Sequence, residues 1–292
     1  MSNAVPTQRS TIIVGVDQAV GQDYLVRFAA REAALRRSPL HVAHVVQPPV
    51  DEGQGDSAAK AGSDLVRRYE DLVRSDFPQV TVAGELPFGH AASALIERSR
   101  DADLIVIGHR GSGGFPRLPL GSVSWQVATH AECPVIVVRP GVTGESRDNR
   151  VVVGVDTDDV SLDALDLAYA EAELRGARLE LVHGAFHPGM LPTGPVGMVP
   201  PDFGVMEQGA REFLEREISR RRDPYPAVQA KLRIEHTRPA TLLAEASRGA
   251  SLMVVGSRGR TGLRRLLLGS VSAEVLHTAE CPVAVVPAPE HG

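Results

Sequence analysis

Gly108 and Gly111 are separated by two residues behind an apolar run, and Gly121-Ser122 follows after nine more. The same spacing returns at Gly256, Gly259 and Gly269-Ser270. Between a strand and a helix, such residues suit a phosphate. The anion needs close backbone approach, inward-pointing amides and a helix start whose partial positive charge faces it. Glycine meets the first two needs because it lacks a Cβ and tolerates positive φ. Ser122 and Ser270 can cap the helix or donate a hydroxyl, and Ser124 and Ser272 offer a second hydroxyl just beyond. The plainer alternative is a tight turn with two capping serines, but capping does not call for the upstream Gly-x-x-Gly. No lysine follows Gly121 or Gly269, so the pattern is not a Walker A loop, nor is it the compact dinucleotide fingerprint.

Other residue types suited to chemistry also come in matched pairs. Asp17 closes the run IIVGVD and Asp156 closes VVVGVD. A carboxylate there can hold Mg²⁺ or orient water, or it can cap the next helix or fix a loop; the sequence leaves both open. Arg110 and Arg258 can reach phosphate or pair with an acidic neighbour. Arg117, Arg264 and Arg265 read as solvated charges. His44 and His183 read as packed side chains and not as metal ligands. Cys133 and Cys281 occupy equivalent places in two similar segments, which makes them small buried residues and not a disulfide pair.

These pairs reflect an internal repeat. Residues 104–139 align with 252–287 without a gap, while upstream the second copy is longer, its extra length falling between Gly184 and Gly204. A loop of that length is a lid, an interface or a mobile segment. Pro140 to Asn149 reads as a linker, which divides the chain into domains at 1–142 and 150–292. The 292 residues, 43% hydrophobic and 23% charged, suffice for two cores. A net charge of −5 gives no electrostatic reason to expect nucleic acid as a partner. The start of the chain lacks an apolar signal segment, and runs such as Leu104 to Ile107 are too short to span a bilayer. The expectation is a cytoplasmic protein with neither a membrane nor a nucleic acid partner.

In the first copy the pattern predicts strands at 12–16, 40–46, 80–85, 104–107 and 135–138, with helices over 22–36, 58–75, 91–100 and 122–130. Continuous apolar strands alternating with amphipathic helices indicate a parallel sheet covered on both faces. Right-handed crossovers make it doubly wound. The class is therefore α/β, two tandem doubly wound domains. The apolar last strands, as sheet edges, are expected to pair the two domains and to support a homodimer.

Gly-x-x-Gly, nine residues, Gly-Ser, and then the Cys-Pro-Val strands at Cys133 and Cys281 resemble the universal stress protein family in its tandem, ATP-binding form. The resemblance runs from Ile12 to Val138 and from Val151 to Val286. It implies a five-stranded parallel sheet in the order 3-2-1-4-5 and an adenine nucleotide, ATP with Mg²⁺, bound across strands 1 and 4. It also implies ribose and phosphate contacts from Gly108, Gly111, Gly121, Ser122 and Val123, matched by Gly256, Gly259, Gly269, Ser270 and Val271. Asp17 and Asp156 match the acidic residue beside the nucleoside, and Val45 and Gly184 match the backbone that contacts adenine. The family's Gly-Ser after the aspartate is Gln18-Ala19 in one copy and Thr157-Asp158 in the other, and its following serine survives as Ser161 but is Gln22 in the first copy. The function implied is a nucleotide-dependent switch in a stress response. A slow ATPase or phosphotransferase, and a scaffold with empty pockets, are the other classes.

Overall fold

The computed structural model describes residues 11–19, 21–47, 55–111, 120–142, 148–157, 162–185, 203–257 and 268–288. The chain divides into two compact units, Met1–Thr143 and Gly144–Gly292. The first contains β1 (Ile12–Gly15), α1 (Asp23–Arg36), β2 (Leu40–Ala43), α2 (Gly55–Asp76), β3 (Val82–Glu85), α3 (Ala91–Arg98), β4 (Leu104–Gly108), α4 (Ser122–His130) and β5 (Val135–Val138). The second contains β6 (Arg150–Gly154), α5 (Leu162–Arg175), β7 (Arg178–Gly184), α6 (Phe203–Arg221), β8 (Ala230–Glu235), α7 (Pro239–Ala246), β9 (Leu252–Gly256), α8 (Ser270–Thr278) and β10 (Val283–Val286).

Within the first unit the strands lie in the order β3-β2-β1-β4-β5, all parallel. Within the second the order is β8-β7-β6-β9-β10, again parallel. This is the predicted 3-2-1-4-5 arrangement in each copy. The order in which strands are added reverses between β1 and β4 and between β6 and β9, where a doubly wound fold opens a crevice at the strands' carboxyl ends.

The apolar strands are buried, as their continuous apolar runs require: every residue of β4, inside the unit's sheet, and of β5, at the end of its order, is buried. Helix α1 buries Leu25, Val26, Phe28, Ala29, Ala30 and Ala33, one face at helical spacing. Gly15 ends β1 because α3 lies close above it. A β-carbon there would stand 3.1 Å from Leu95 Cδ1, and one on Gly154 would stand 3.0 Å from Leu243 Cδ1. Both halves also carry a serine pin. Ser99 Oγ donates to Ile96 O at 2.6 Å and accepts from Glu132 N at 2.8 Å; Ser247 does the same with Ala244 O at 2.6 Å and Glu280 N at 2.9 Å. That pin ends α3 at Arg98, short of the predicted Arg100, and holds the segment leading into β5.

Other boundaries differ from expectation as well: β2 ends at Ala43 and not at Val46, and β1, β4 and α1 shift by one residue at one end. Helix α2 starts at Gly55 rather than Ala58. Strand β3 starts at Val82, since Val80 N is bonded to Phe77 O at 2.9 Å in a turn. Most of the long segment expected between Gly184 and Gly204 lies outside the described residues. Cys133 and Cys281 are both buried and unbridged, and burial pushes the Cys133 thiol up to about 12. Among the described residues no helix is long and apolar enough to cross a membrane.

Candidate functional site

The loop between β4 and α4 is closed at its neck. His109 N donates to Val138 O at 2.8 Å, continuing the sheet, and His109 O accepts Gly121 N at 3.0 Å. Ser124 Oγ then donates to Gly108 O at 2.7 Å, fastening the first turn of α4 to the end of β4. The first helical bond of α4 runs from Trp125 N to Gly121 O at 2.9 Å. The amides of Ser122, Val123 and Ser124 therefore have no helical acceptor and point out of the helix start, where the partial positive charge gathers.

This geometry refines the roles expected for the serines. Gly121 is the N-cap residue, with extended backbone and no side-chain cap, so Ser122 is the first helical residue and does not cap. Its hydroxyl is exposed. The Ser124 hydroxyl, expected to face phosphate, is bonded to Gly108 instead. The Gly121 amide is spent on His109.

Of the two reasons expected for the glycines, only one is used at Gly108, Gly111 and Gly121. Positive φ among the described glycines occurs at Gly21, Gly89, Gly141, Gly176 and Gly249, and not in this loop. Close approach is what excludes a side chain. A β-carbon on Gly111 would fall 2.2 Å from Asp17 Oδ2, and one on Gly108 would fall 3.3 Å from Arg110 O. Gly121 is less confined, its nearest neighbour being Arg110 Cα at 3.4 Å.

A cleft of about 620 Å³ opens here, of a size usual for small-molecule sites. Its walls include Asp17, Val45, Gly108, Gly111, Gly121, Ser122, Val123 and Ser124, so the eight first-half residues singled out in the sequence meet in one place. Arg110 lines it too. At Val45, the flanking amides of His44 and Val46 donate toward β3, to Glu85 O at 3.0 Å and Pro87 O at 2.8 Å. Alternation along the chain then turns the Val45 N–H and C=O to the opposite side, over the end of β1.

Asp17 is held in place. Its Oδ1 accepts from Ala19 N at 2.9 Å and from Gln22 Nε2 at 2.6 Å, and its own amide donates to Gln22 Oε1 at 3.0 Å. Of the two readings left open by the sequence, loop fixing is thus realised in the structure. Gln22, His44, Ala91 and Leu95 also line the cleft and were not singled out for it. His44 Nδ1 donates to Val16 O at 3.0 Å, and His183 Nδ1 to Val155 O at 2.9 Å, so each histidine ties strand 2 to the end of strand 1 in its copy. Beside Asp17, burial pushes the Tyr24 phenol up to about 12, and the aspartate's charge adds to that rise.

The second half repeats the neck. Gly269 N donates to Ser257 O at 2.8 Å, Ser272 Oγ to Gly256 O at 2.7 Å and Ala273 N to Gly269 O at 2.8 Å. The amides of Ser270, Val271 and Ser272 are left at the open start of α8, with Gly269 as N-cap. Asp156 follows β6 as Asp17 follows β1. Gly259, Ser161, Arg258, Arg264 and Arg265, like Arg117 in the first half, lie outside the described residues. At Gly184 the two copies part. A β-carbon there would stand 2.7 Å from Pro239 Cα, so the first residue of α7 rests directly on the strand. Among the described residues no cluster of three histidine, cysteine or acidic side chains could hold a metal.

Fold and helix starts together define a tandem pair of doubly wound α/β domains, each with an open set of amides after its fourth strand. The profile of the universal stress protein family matches residues 8–139 and again 149–287. The chain is 35% identical over 289 residues to a universal stress protein of Mycolicibacterium smegmatis, covering 94% of this chain and 96% of that one. It is 33% identical over 294 residues to one from Mycobacterium tuberculosis, covering 96% and 98%. The crystal structure of a universal stress protein from Archaeoglobus fulgidus shares the fold, with a TM-score of 0.72 over 97% of this chain and 100% of that one at 19% identity. The chain belongs to the universal stress protein family, in its tandem two-domain form.

Proposed function

We propose that the protein binds an adenine nucleotide, ATP with Mg²⁺, in the first-half cleft and at the matching place in the second half, and that occupancy acts as a switch read by other components during stress. The observation that carries this reading is the set of three open amides at Ser122, Val123 and Ser124 facing a cleft that Asp17, Gly108 and Gly111 also line. Amides at a helix start bind polyphosphate without any lysine, and the repeat of the same neck at Gly256 and Ser272 extends the reading to a second site. Magnesium bound with the nucleotide would neutralise phosphate charge, and Asp17 is a carboxylate in the cleft of the type that could help to hold it.

The test is to denature freshly purified protein, identify the nucleotide released, and titrate the stripped protein with ATP. Near-stoichiometric ATP supports the switch. ADP that accumulates with time replaces it with a slow ATPase, and a failure to take up ATP leaves a scaffold. Sedimentation of the same samples with and without ATP reads the expected self-association.

A further inference from the structure

We infer that Gln22 is the positioning residue for Asp17 in the first-half site, a role for which this chain uses an amide side chain. The inference rests on the nucleotide reading above and adds to it the group that sets the geometry of its carboxylate. Gln22 is the N-cap residue of α1, yet its side chain makes no cap bond with its own helix. It turns back to Asp17 and engages it twice, donating Nε2–H to Oδ1 at 2.6 Å and accepting the Asp17 amide at Oε1 at 3.0 Å. The side chain lies in the cleft wall and the residue is only 5% exposed, so both bonds are partly shielded from bulk water. A buried amide must place its donors and acceptors, and here both kinds go to one residue.

The chemistry of the pair explains why an amide serves. A carboxylate held by a neutral N–H keeps its charge, and the bond is of the stronger, charge-assisted kind. An arginine or lysine in the same place would bring a cation into the cleft and compete for whatever Asp17 contacts. The ring of two hydrogen bonds fixes the rotation of the carboxyl group. That rotation brings Oδ2 against Gly111, where a β-carbon would fall 2.2 Å away. Gln22 thus sets the separation between the end of β1 and the Gly108–Gly111 turn, which are two walls of the cleft. In the second half the equivalent residue is Ser161, a shorter side chain with a hydroxyl, so the two copies differ in how an aspartate can be held.

Trp125, the only tryptophan, stands in the first turn of α4, next to Ser124 and one turn from the cleft-lining Ser122 and Val123, so it is the natural reporter for the first-half site. ATP titrations followed by its fluorescence, on the full chain, test the inference. Gln22→Met keeps the volume and removes both bonds; it is expected to weaken ATP binding about tenfold, the effect of losing a hydrogen bond to a charged group. In an Asp17→Ala background the same substitution is expected to change affinity less than about twofold, because Gln22 acts through Asp17. Gln22→Asn supplies a second signature. It keeps an amide but is one methylene too short to close both bonds, so it should weaken binding in the wild-type background and lose that effect once Asp17 is alanine.

Equal losses in the wild-type and Asp17→Ala backgrounds, or ATP binding by Gln22→Met as tight as wild type, would overturn the role of Gln22. Should Gln22→Met not fold, a Gln22→Asn protein that loses as much affinity in the Asp17→Ala background as in wild type overturns it as well. Wild-type protein that takes up no ATP, by fluorescence or by dialysis, overturns the nucleotide reading and this inference with it.

Discussion

The Ser124 hydroxyl donates to the Gly108 carbonyl at 2.7 Å, and Ser272 makes the same bond to Gly256 at 2.7 Å in the other half. Each bond joins the last residue of a strand to the first turn of the helix that follows its loop. It covers a carbonyl that would otherwise present negative charge beside amides suited to an anion. Ser124→Ala leaves that buried acceptor unmet and is expected to lower stability by about 1–3 kcal/mol. Ser272→Ala should do the same, and the two losses should add to within about 0.5 kcal/mol because the bonds lie in different units. Urea denaturation measures both; a loss near zero in either would mean that water or a neighbour replaces the hydroxyl.

Gly111 and Asp17 are coupled by contact. Alanine at Gly111 needs room that Asp17 Oδ2 occupies, 2.2 Å from the new carbon, with no backbone strain involved. Gly111→Ala is therefore expected to displace the carboxylate and to abolish ligand uptake at the first half, leaving the titrated stoichiometry lower by about one site if both halves bind. Gly259→Ala is expected to remove the other. The contact also predicts non-additivity: in an Asp17→Ala background, Gly111→Ala should cost less than about 0.5 kcal/mol of stability. A full additive cost in the double variant would show that the crowding comes from elsewhere.

The strands were legible because buried parallel strands are runs of β-branched and other apolar residues, as in LIVIG at β4 and VIVV at β5. The sheet order came with the family resemblance. The glycines and serines of the first-half cleft were legible as well, from the repeated spacing, and Asp17 from the matched IIVGVD and VVVGVD runs, whereas Val45 and Val123 came with the family resemblance. What the sequence hid was direction. Whether the Ser124 hydroxyl meets a ligand or Gly108 depends on how α4 crosses the end of β4, which residue type does not encode. Gln22 read as a departure from a family serine, since its partnership with Asp17 depends on the path of the turn between them. Glycine's two virtues, small size and tolerance of positive φ, are indistinguishable in a sequence; at Gly108, Gly111 and Gly121 only the first is used.

Gly184 and Val45 hold the same place in the two copies with different surroundings. Val45 lines an open cleft, whereas Gly184 is pressed by the Pro239 backbone, its virtual β-carbon 2.7 Å from Cα and 2.9 Å from N. Backbone cannot swing aside as a flexible side chain can. Gly184→Val, which installs the first-half residue, should push the start of α7 away from β7 and cost about 1–3 kcal/mol or more. The reciprocal Val45→Gly should cost about 1 kcal/mol, chiefly through chain entropy. Equal costs from urea denaturation would argue that α7 accommodates a side chain without moving.

Tyr24 supplies a prediction in pH. Burial, with the charge of Asp17 second, raises its phenol from 10.0 to about 12. The raised value means that the folded protein holds the proton more tightly than the unfolded chain does. Stability from this difference is fully present below pH 10 and is lost as the pH rises toward 12, because the unfolded chain ionises first. Tyr69 and Tyr169 are raised by burial too, so they contribute to the same alkaline limb. Tyr24→Phe removes one of these contributions and should make the alkaline limb of the stability curve shallower while leaving its neutral-pH slope alone. In the native protein, ultraviolet titration should show one fewer late-ionising phenol in the variant. A Tyr24 that ionises near pH 10, with an unchanged limb in Tyr24→Phe, would mean that its hydroxyl is hydrated and stands clear of the Asp17 carboxylate.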